Sequence, residues 1–161
     1  MGGNYVFDGG TVRQQSVVRR ALAASSFDWG VVRARVTIHI VPCGCAGATK
    51  GEITLDGADL VRGGRGMWGI VQHEYAHQVD FALFTHSDRR RFRRLLRTRR
   101  WCDEASGAEH AAYGCERFAS TLAWAFWQSP VNYFRPLERA DEAGVVSPAR
   151  FRAALATVLT R

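Results

Sequence analysis

Met-Trp-Gly-Ile-Val-Gln-His-Glu-Tyr-Ala-His-Gln-Val-Asp-Phe-Ala-Leu-Phe occupies residues 67–84. It contains no proline and one glycine, Gly69, and its apolar spacing is that of a helix. Within it, His73-Glu74-Tyr75-Ala76-His77 has the form H-E-x-x-H. Residues four apart lie one above the other on a single helix face. Both imidazoles can therefore bind one zinc ion, while Glu74 reaches a water on the metal. For a chain with five histidines and seven glutamates, chance produces this pattern on the order of once in a hundred. Ile70, Val71 and Val79 are apolar, and Gln72, Tyr75, Ala76 and Gln78 are uncharged. A helix so flanked is buried rather than solvated. Asp80, three residues beyond His77, is placed either to accept the second ring N–H of a ligating histidine or to be a surface acid.

A catalytic zinc needs a third protein ligand and one open position. A third histidine spaced as in the metzincins would require glycine at position 80 and histidine at position 83, where the chain has Asp80 and Leu83. Later candidates are His86, Asp103, Glu104, Glu109, His110 and Glu116. Glu116 stands out because its helix otherwise carries Leu122, Ala123, Trp124 and Phe126. A carboxylate in such surroundings is costly unless it is paired or metal-bound. Arg117 or another arginine is the competing partner.

Outward from these segments, residues 11–25 form an amphipathic helix with Val12, Val17 or Val18, Ala21 and Leu22 near one face. Residues 32–41 alternate as a half-buried strand. Residues 42–49 are a glycine-rich connection, and residues 51–55 a second strand closed by an Asp56-Gly57 turn. Residues 62–66 are loop. Ser87 and Asp88 open a helix to about Arg100, Gly107 marks a loop, and residues 109–128 form a long helix weakened at Gly114. Ser129-Pro130 stops it. Ser147-Pro148 opens a last helix to Leu159. This order predicts a single α+β domain over residues 1–161, a small sheet beside a helical bundle.

Composition agrees: of 161 residues, 47% are hydrophobic and 23% charged, values of a globular chain. No apolar run approaches the ~18 residues of a spanning helix. Residues 1–8 show no charged-then-apolar leader, which tips the expected compartment slightly to the cytoplasm. Four cysteines permit two disulfides without requiring them, and Cys43-Gly44-Cys45 is too short for a zinc knuckle.

The net charge is +7, and Lys50 is the single lysine. Residues 87–101 carry that whole excess: Arg89, Arg90, Arg91, Arg93, Arg94, Arg97, Arg99 and Arg100 against Asp88. Phe92, Leu95 and Leu96 form an apolar stripe there. The segment reads as a packed helix with a solvated basic face, or as a surface for nucleic acid, anionic membrane or acidic substrates. Trp101 could stack on a base.

H-E-x-x-H followed about forty residues later by Glu-x-Phe-Ala resembles the gluzincin branch of the zincin-like metallopeptidases. It looks especially like the compact minimal gluzincins and the anthrax lethal factor-type catalytic domains. The resemblance spans residues 36–127. It implies a zincin-like fold with a small, mostly antiparallel sheet, whose edge at residues 52–55 would hold an extended peptide or protein substrate. It implies zinc held by His73, His77 and Glu116, and Glu74 as the general base of peptide hydrolysis. Two departures stand out: no asparagine precedes Glu116, and no motif fixes the residue that polarises the substrate carbonyl. Tyr113 is the first candidate, with His110 and Tyr133 behind it. The alternative function is a zincin-fold protein without turnover, which binds nucleic acid or an acidic partner through residues 87–101. The intact Glu74 favours the enzyme.

Overall fold

The structure is a computed structural model that describes residues 3–102 and 109–161. The fold is α+β, with a four-stranded mixed sheet and six α-helices among the described residues. Strand β1 (Tyr5–Gly9) leads into helix α1 (Val12–Ala24), and β2 is Val36–Val41. A hairpin follows, of β3 (Ala46–Thr49) and β4 (Glu52–Asp56). Then come α2 (Gly57–Arg62), α3 (Met67–Leu83), α4 (His86–Leu95), α5 (Gly114–Phe126) and α6 (Pro148–Leu159).

The sheet order is β1-β2-β4-β3. β1 runs parallel to β2, and β2 parallel to β4; β3 alone is antiparallel, to β4. The expected mostly antiparallel sheet is therefore corrected. Helix α1 makes the crossover that a parallel β1–β2 pair requires. The expected edge is corrected too, because β4 has neighbours on both sides and β3 is the edge. β3 lies inside the stretch read as a connection. Its Ala-Gly-Ala-Thr sequence shows no apolar alternation, and Gly51, at φ +84°, closes the hairpin with Lys50. Asp56 does more than end a strand. Its Oδ1 accepts the N–H of Asp59 and starts α2, while its Oδ2 accepts those of Cys43 and Gly44.

Helix α1 begins as read, with Thr11 and Gln14 forming a capping box. It buries Val17, Val18, Ala21 and Leu22 and leaves Val12 exposed. Helix α3 is the centre of the molecule: every residue from 71 to 80 is buried. It packs against α1, α5, β3 and β4. Two amides pin it. Gln72 Nε2 donates to Ala21 O of α1, and Gln78 Nε2 donates to Thr49 O and Glu52 O across the hairpin. The second set fixes β3 beside the H-E-x-x-H face.

Helix α4 ends at Leu95 rather than near Arg100. Arg97 takes a left-handed φ of +55°, and Thr98 N–H donates back to Arg93 O. The turn carries the chain to α5, where Gly114 N–H donates to Arg100 O and Cys115 N–H to Trp101 O. Helix α5 accordingly starts at Gly114, not at 109; a 3-10 turn, His110–Ala112, and the extended residue Tyr113 precede it. Gly114 is no weak internal turn: a Cβ there would strike the Trp101 ring and Thr98 Oγ1. Phe84, Phe92, Trp101, Phe118 and Phe151 pack ring to ring between α3, α4, α5 and α6.

Cys43 pairs with Cys45 and Cys102 with Cys115 as disulfides. Among the described residues no helix is long and apolar enough to cross a membrane.

Candidate metal centre

Helical spacing sets His73 and His77 on one face of α3, with their Nε2 atoms 3.2 Å apart. Helix α5 packs across that face and presents Glu116 and Ser120, also four apart. Glu116 Oε2 lies 3.0 Å from His73 Nε2 and 3.3 Å from His77 Nε2. Ser120 Oγ lies 3.1 Å from the other nitrogen of His73, Nδ1. Arg117 is not the partner of Glu116: its Nε donates to Ala111 O instead.

The three facing donor atoms form a triangle with edges of 3.0, 3.2 and 3.3 Å. A tetrahedral zinc with ligands at about 2.0–2.1 Å sets its donors about 3.3 Å apart. Two imidazoles and one carboxylate are also a ligand set that catalytic zinc sites use. The residues therefore fit the ion in both spacing and donor chemistry.

Two more side chains complete the cluster. His110, on the 3-10 turn before α5, brings its Nε2 to 2.7 Å from Glu116 Oε2 and its Nδ1 to 2.7 Å from Glu142 Oε1. Ser120 Oγ donates to the second oxygen of Glu142, Oε2. His73, Ser120, Glu142, His110 and Glu116 thus close a ring of polar contacts. Phe134 stacks on the His73 imidazole, with centroids 4.7 Å apart and planes at 14°.

Burial and these contacts set the charges of the metal-free cluster. Burial pushes His73 down to about 4, so the ring is neutral at neutral pH. Burial raises the Glu74 carboxyl to about 7. Hydrogen bonds to Glu116 and Glu142 raise His110 to about 10, so it is an imidazolium at neutral pH. Burial alone would raise Glu116, but the hydrogen bonds of His110, His73 and His77 together hold it far below the usual carboxylate range.

The cluster opens into two adjoining hollows. One, of about 280 Å³, is lined by His73, Glu74, His77, His110, Tyr113 and Glu116, with Ala46, Gly47 and Ala48 of edge strand β3 on its wall. The other, of about 600 Å³, shares His73, Glu74 and His110 and adds Ile70, Tyr133 and Phe134. Tyr113, His110 and Tyr133 therefore all border the space beside Glu74, and His110 also contacts Glu116 directly.

Asp80 departs from expectation. It is buried, but its Oδ1 takes the Nε–H of Arg89 and its Oδ2 the indole N–H of Trp101, each at 2.8 Å. It ties α3 to α4 rather than orienting His77. His86 and Glu109 are exposed and stand apart from the cluster. Asp103, Glu104 and Gly107 lie outside the described residues. Sequence reasoning missed Ser120, Glu142 and Phe134. Ser120, one turn beyond Glu116, carried a legible signal; Glu142, in a turn-rich segment, carried none.

The arginine-rich segment is partly internal. Arg89 pairs with Asp80, Arg91 Nη2 donates to Ala154 O and Thr157 Oγ1, and Arg93 Nη1 donates to Arg99 O. Arg90, Arg94, Arg97 and Arg99 line the outer side of the segment. No family model, no curated protein and no solved structure matches the chain.

Proposed function

We propose that the chain is a zinc-dependent peptidase of the zincin type, in its gluzincin branch. The observation that carries this reading is the triangle of His73 Nε2, His77 Nε2 and Glu116 Oε2 beside the buried carboxyl of Glu74. His73, His77 and Glu116 would hold the ion. Zinc, when bound, acidifies a water and polarises the scissile carbonyl.

The rest of the work falls to side chains. Glu74 takes the proton of the attacking water and hands it to the leaving amine. Burial raises the proton affinity of that carboxyl in the metal-free chain. His110, oriented by Glu142, borders the cleft with its Nε2 2.7 Å from Glu116 Oε2; once zinc takes that oxygen, the Nε2–H would be released to donate a hydrogen bond to the carbonyl oxygen as negative charge grows there. Tyr113 borders the same hollow and is the second candidate for that bond. The substrate backbone would add to the edge of β3, where Ala46, Gly47 and Ala48 leave room.

The non-catalytic alternative, binding nucleic acid or an acidic partner through the arginine-rich segment, has less behind it, because at least three of its eight arginines, Arg89, Arg91 and Arg93, are spent on internal bonds. A peptide-library digest with and without a chelator tests the proposal. Cleavage that is lost with the chelator and restored by zinc supports it; no cleavage by the zinc-loaded chain overturns it.

A further inference from the structure

Glu142 touches neither His73 nor His77, yet both of its oxygens are spent on the centre. Oε1 accepts from His110 Nδ1, and Oε2 accepts from the Ser120 hydroxyl, which in turn meets His73 Nδ1. Its position is built by its own segment. Asp141 Oδ2 accepts the N–H groups of Leu137 and Glu138, and Gly144 N–H donates to Asp141 O. A Cβ on Gly144 would strike Glu138 O, so the turn admits only glycine there. The segment is a closed turn that returns over α5 and presents one carboxylate.

An ionised carboxylate has no proton to give. That fixes the direction of the bonds on the Ser120 side of His73, while Glu116, also a carboxylate, draws a proton to Nε2 until zinc stands between them. With Glu142 accepting, the Ser120 proton points to Oε2, and the serine lone pairs face His73. His73 then carries its proton on Nδ1, donates it to Ser120, and keeps the Nε2 lone pair for a metal. The same carboxylate takes the Nδ1 proton of His110 and directs its Nε2 to Glu116 Oε2, 2.7 Å away at the wall of the cleft.

We propose that Glu142 is a positioning residue that sets two imidazoles at once. Through Ser120 it holds His73 in the tautomer a metal needs, and directly it holds His110 in its catalytic orientation. This role rests on the peptidase reading above. It makes a specific claim about routes: Glu142 reaches the metal by way of Ser120 and reaches the carbonyl by way of His110, so the two effects separate. An amide at 142 offers a donor where one acceptor stood. Facing Ser120, it deprives the hydroxyl of its acceptor and frees that proton to turn on His73 Nδ1, which favours the tautomer with Nε2 already protonated.

The test uses the full chain as wild type, Glu142→Gln, Ser120→Ala and the double variant. Zinc dissociation constants are measured by competition with a chelator of known affinity, and kcat and KM at saturating zinc on a peptide from the library digest. Glu142→Gln is expected to weaken zinc binding about 10–100-fold, and to add nothing further in the Ser120→Ala background. It should lower kcat about 100-fold in both backgrounds with KM little changed. Unchanged zinc affinity in Glu142→Gln overturns the role, and so do affinity losses that multiply in the double variant. If Glu142→Gln does not fold, Glu142→Asp serves, since withdrawing the carboxylate by one methylene should also weaken zinc binding, and wild-type affinity there overturns the role. Failure of the wild type to bind zinc overturns the peptidase reading itself.

Discussion

Glu116 Oε2 lies 3.0 Å from His73 Nε2, although 43 residues separate the two in sequence. Helix α5 brings them together, and one turn later it sets Ser120 against the opposite nitrogen of the same ring. The imidazole is gripped at both ends by one helix face, with Phe134 stacked on its plane. A ring so held has little freedom to turn. That is the preorganisation a metal ligand needs.

The first test removes that carboxylate. Glu116→Ala should weaken zinc binding by about 100-fold or more, because two imidazoles alone fall short of the three-ligand set. Glu109→Ala should leave the affinity unchanged, since Glu109 is exposed and outside the cluster. Chelator competition on the two variants reads the difference, and equal affinities would remove Glu116 from the ligand set.

Replacing Glu74 separates binding from chemistry. Glu74→Gln keeps the shape but cannot accept a proton, so hydrolysis should fall by about 10²–10⁴-fold while one zinc per chain stays bound. Turnover near the wild-type rate would mean that Glu74 is not the base.

Asp80 should matter for stability and not for the metal. Its carboxylate joins Arg89 and Trp101 in a buried position. Asp80→Asn breaks a charge-assisted bond there and should cost about 1–3 kcal/mol in denaturant unfolding. Zinc affinity should stay within about twofold, because the bonds of Asp80 lead away from His77. A large affinity loss without a stability loss would restore Asp80 as the partner of a ligand.

Asp88 gives the fold a pH signature at the acid end. Burial works to raise its carboxyl, but bonds from Thr85 and from the Arg161 guanidinium outweigh it and hold the group at about 2. The folded value lies below the unfolded one, about 3.9. The stabilisation is therefore complete above about pH 4 and lost as pH falls toward 2, and it amounts to on the order of 1–2 kcal/mol with its half-exposed partner discounted. Unfolding curves of wild type and Asp88→Asn should differ by that amount at neutral pH and converge near the folded value. A constant gap would contradict the assignment.

Much of this was legible because it is local. The H-E-x-x-H spacing, the helical pattern of α3 and the Ser147-Pro148 start each state their structure within a few residues. Glu116 was legible by contrast, as one carboxylate in an apolar helix. What was not legible depends on distant partners. β3 is Ala-Gly-Ala-Thr and becomes a strand only because β4 pairs with it and Gln78 holds its turn. The parallel sheet depends on β1, five residues with no pattern of their own, finding β2 across α1. Helix α5 starts late because Gly114 packs under Trp101. Glu142 has no periodicity to betray it, and only the folded chain brings it to His110.

The claim on which the rest depends is that one zinc sits between α3 and α5 with a position left open. X-ray absorption spectroscopy of the zinc-loaded chain measures this most directly. The account expects one zinc per chain with two imidazole nitrogens, one carboxylate oxygen and a further light ligand, all at about 2.0–2.2 Å, and the loss of that signal in the His73→Ala, His77→Ala double variant. Substoichiometric zinc, sulfur among the ligands, or an unchanged spectrum in the double variant would contradict it.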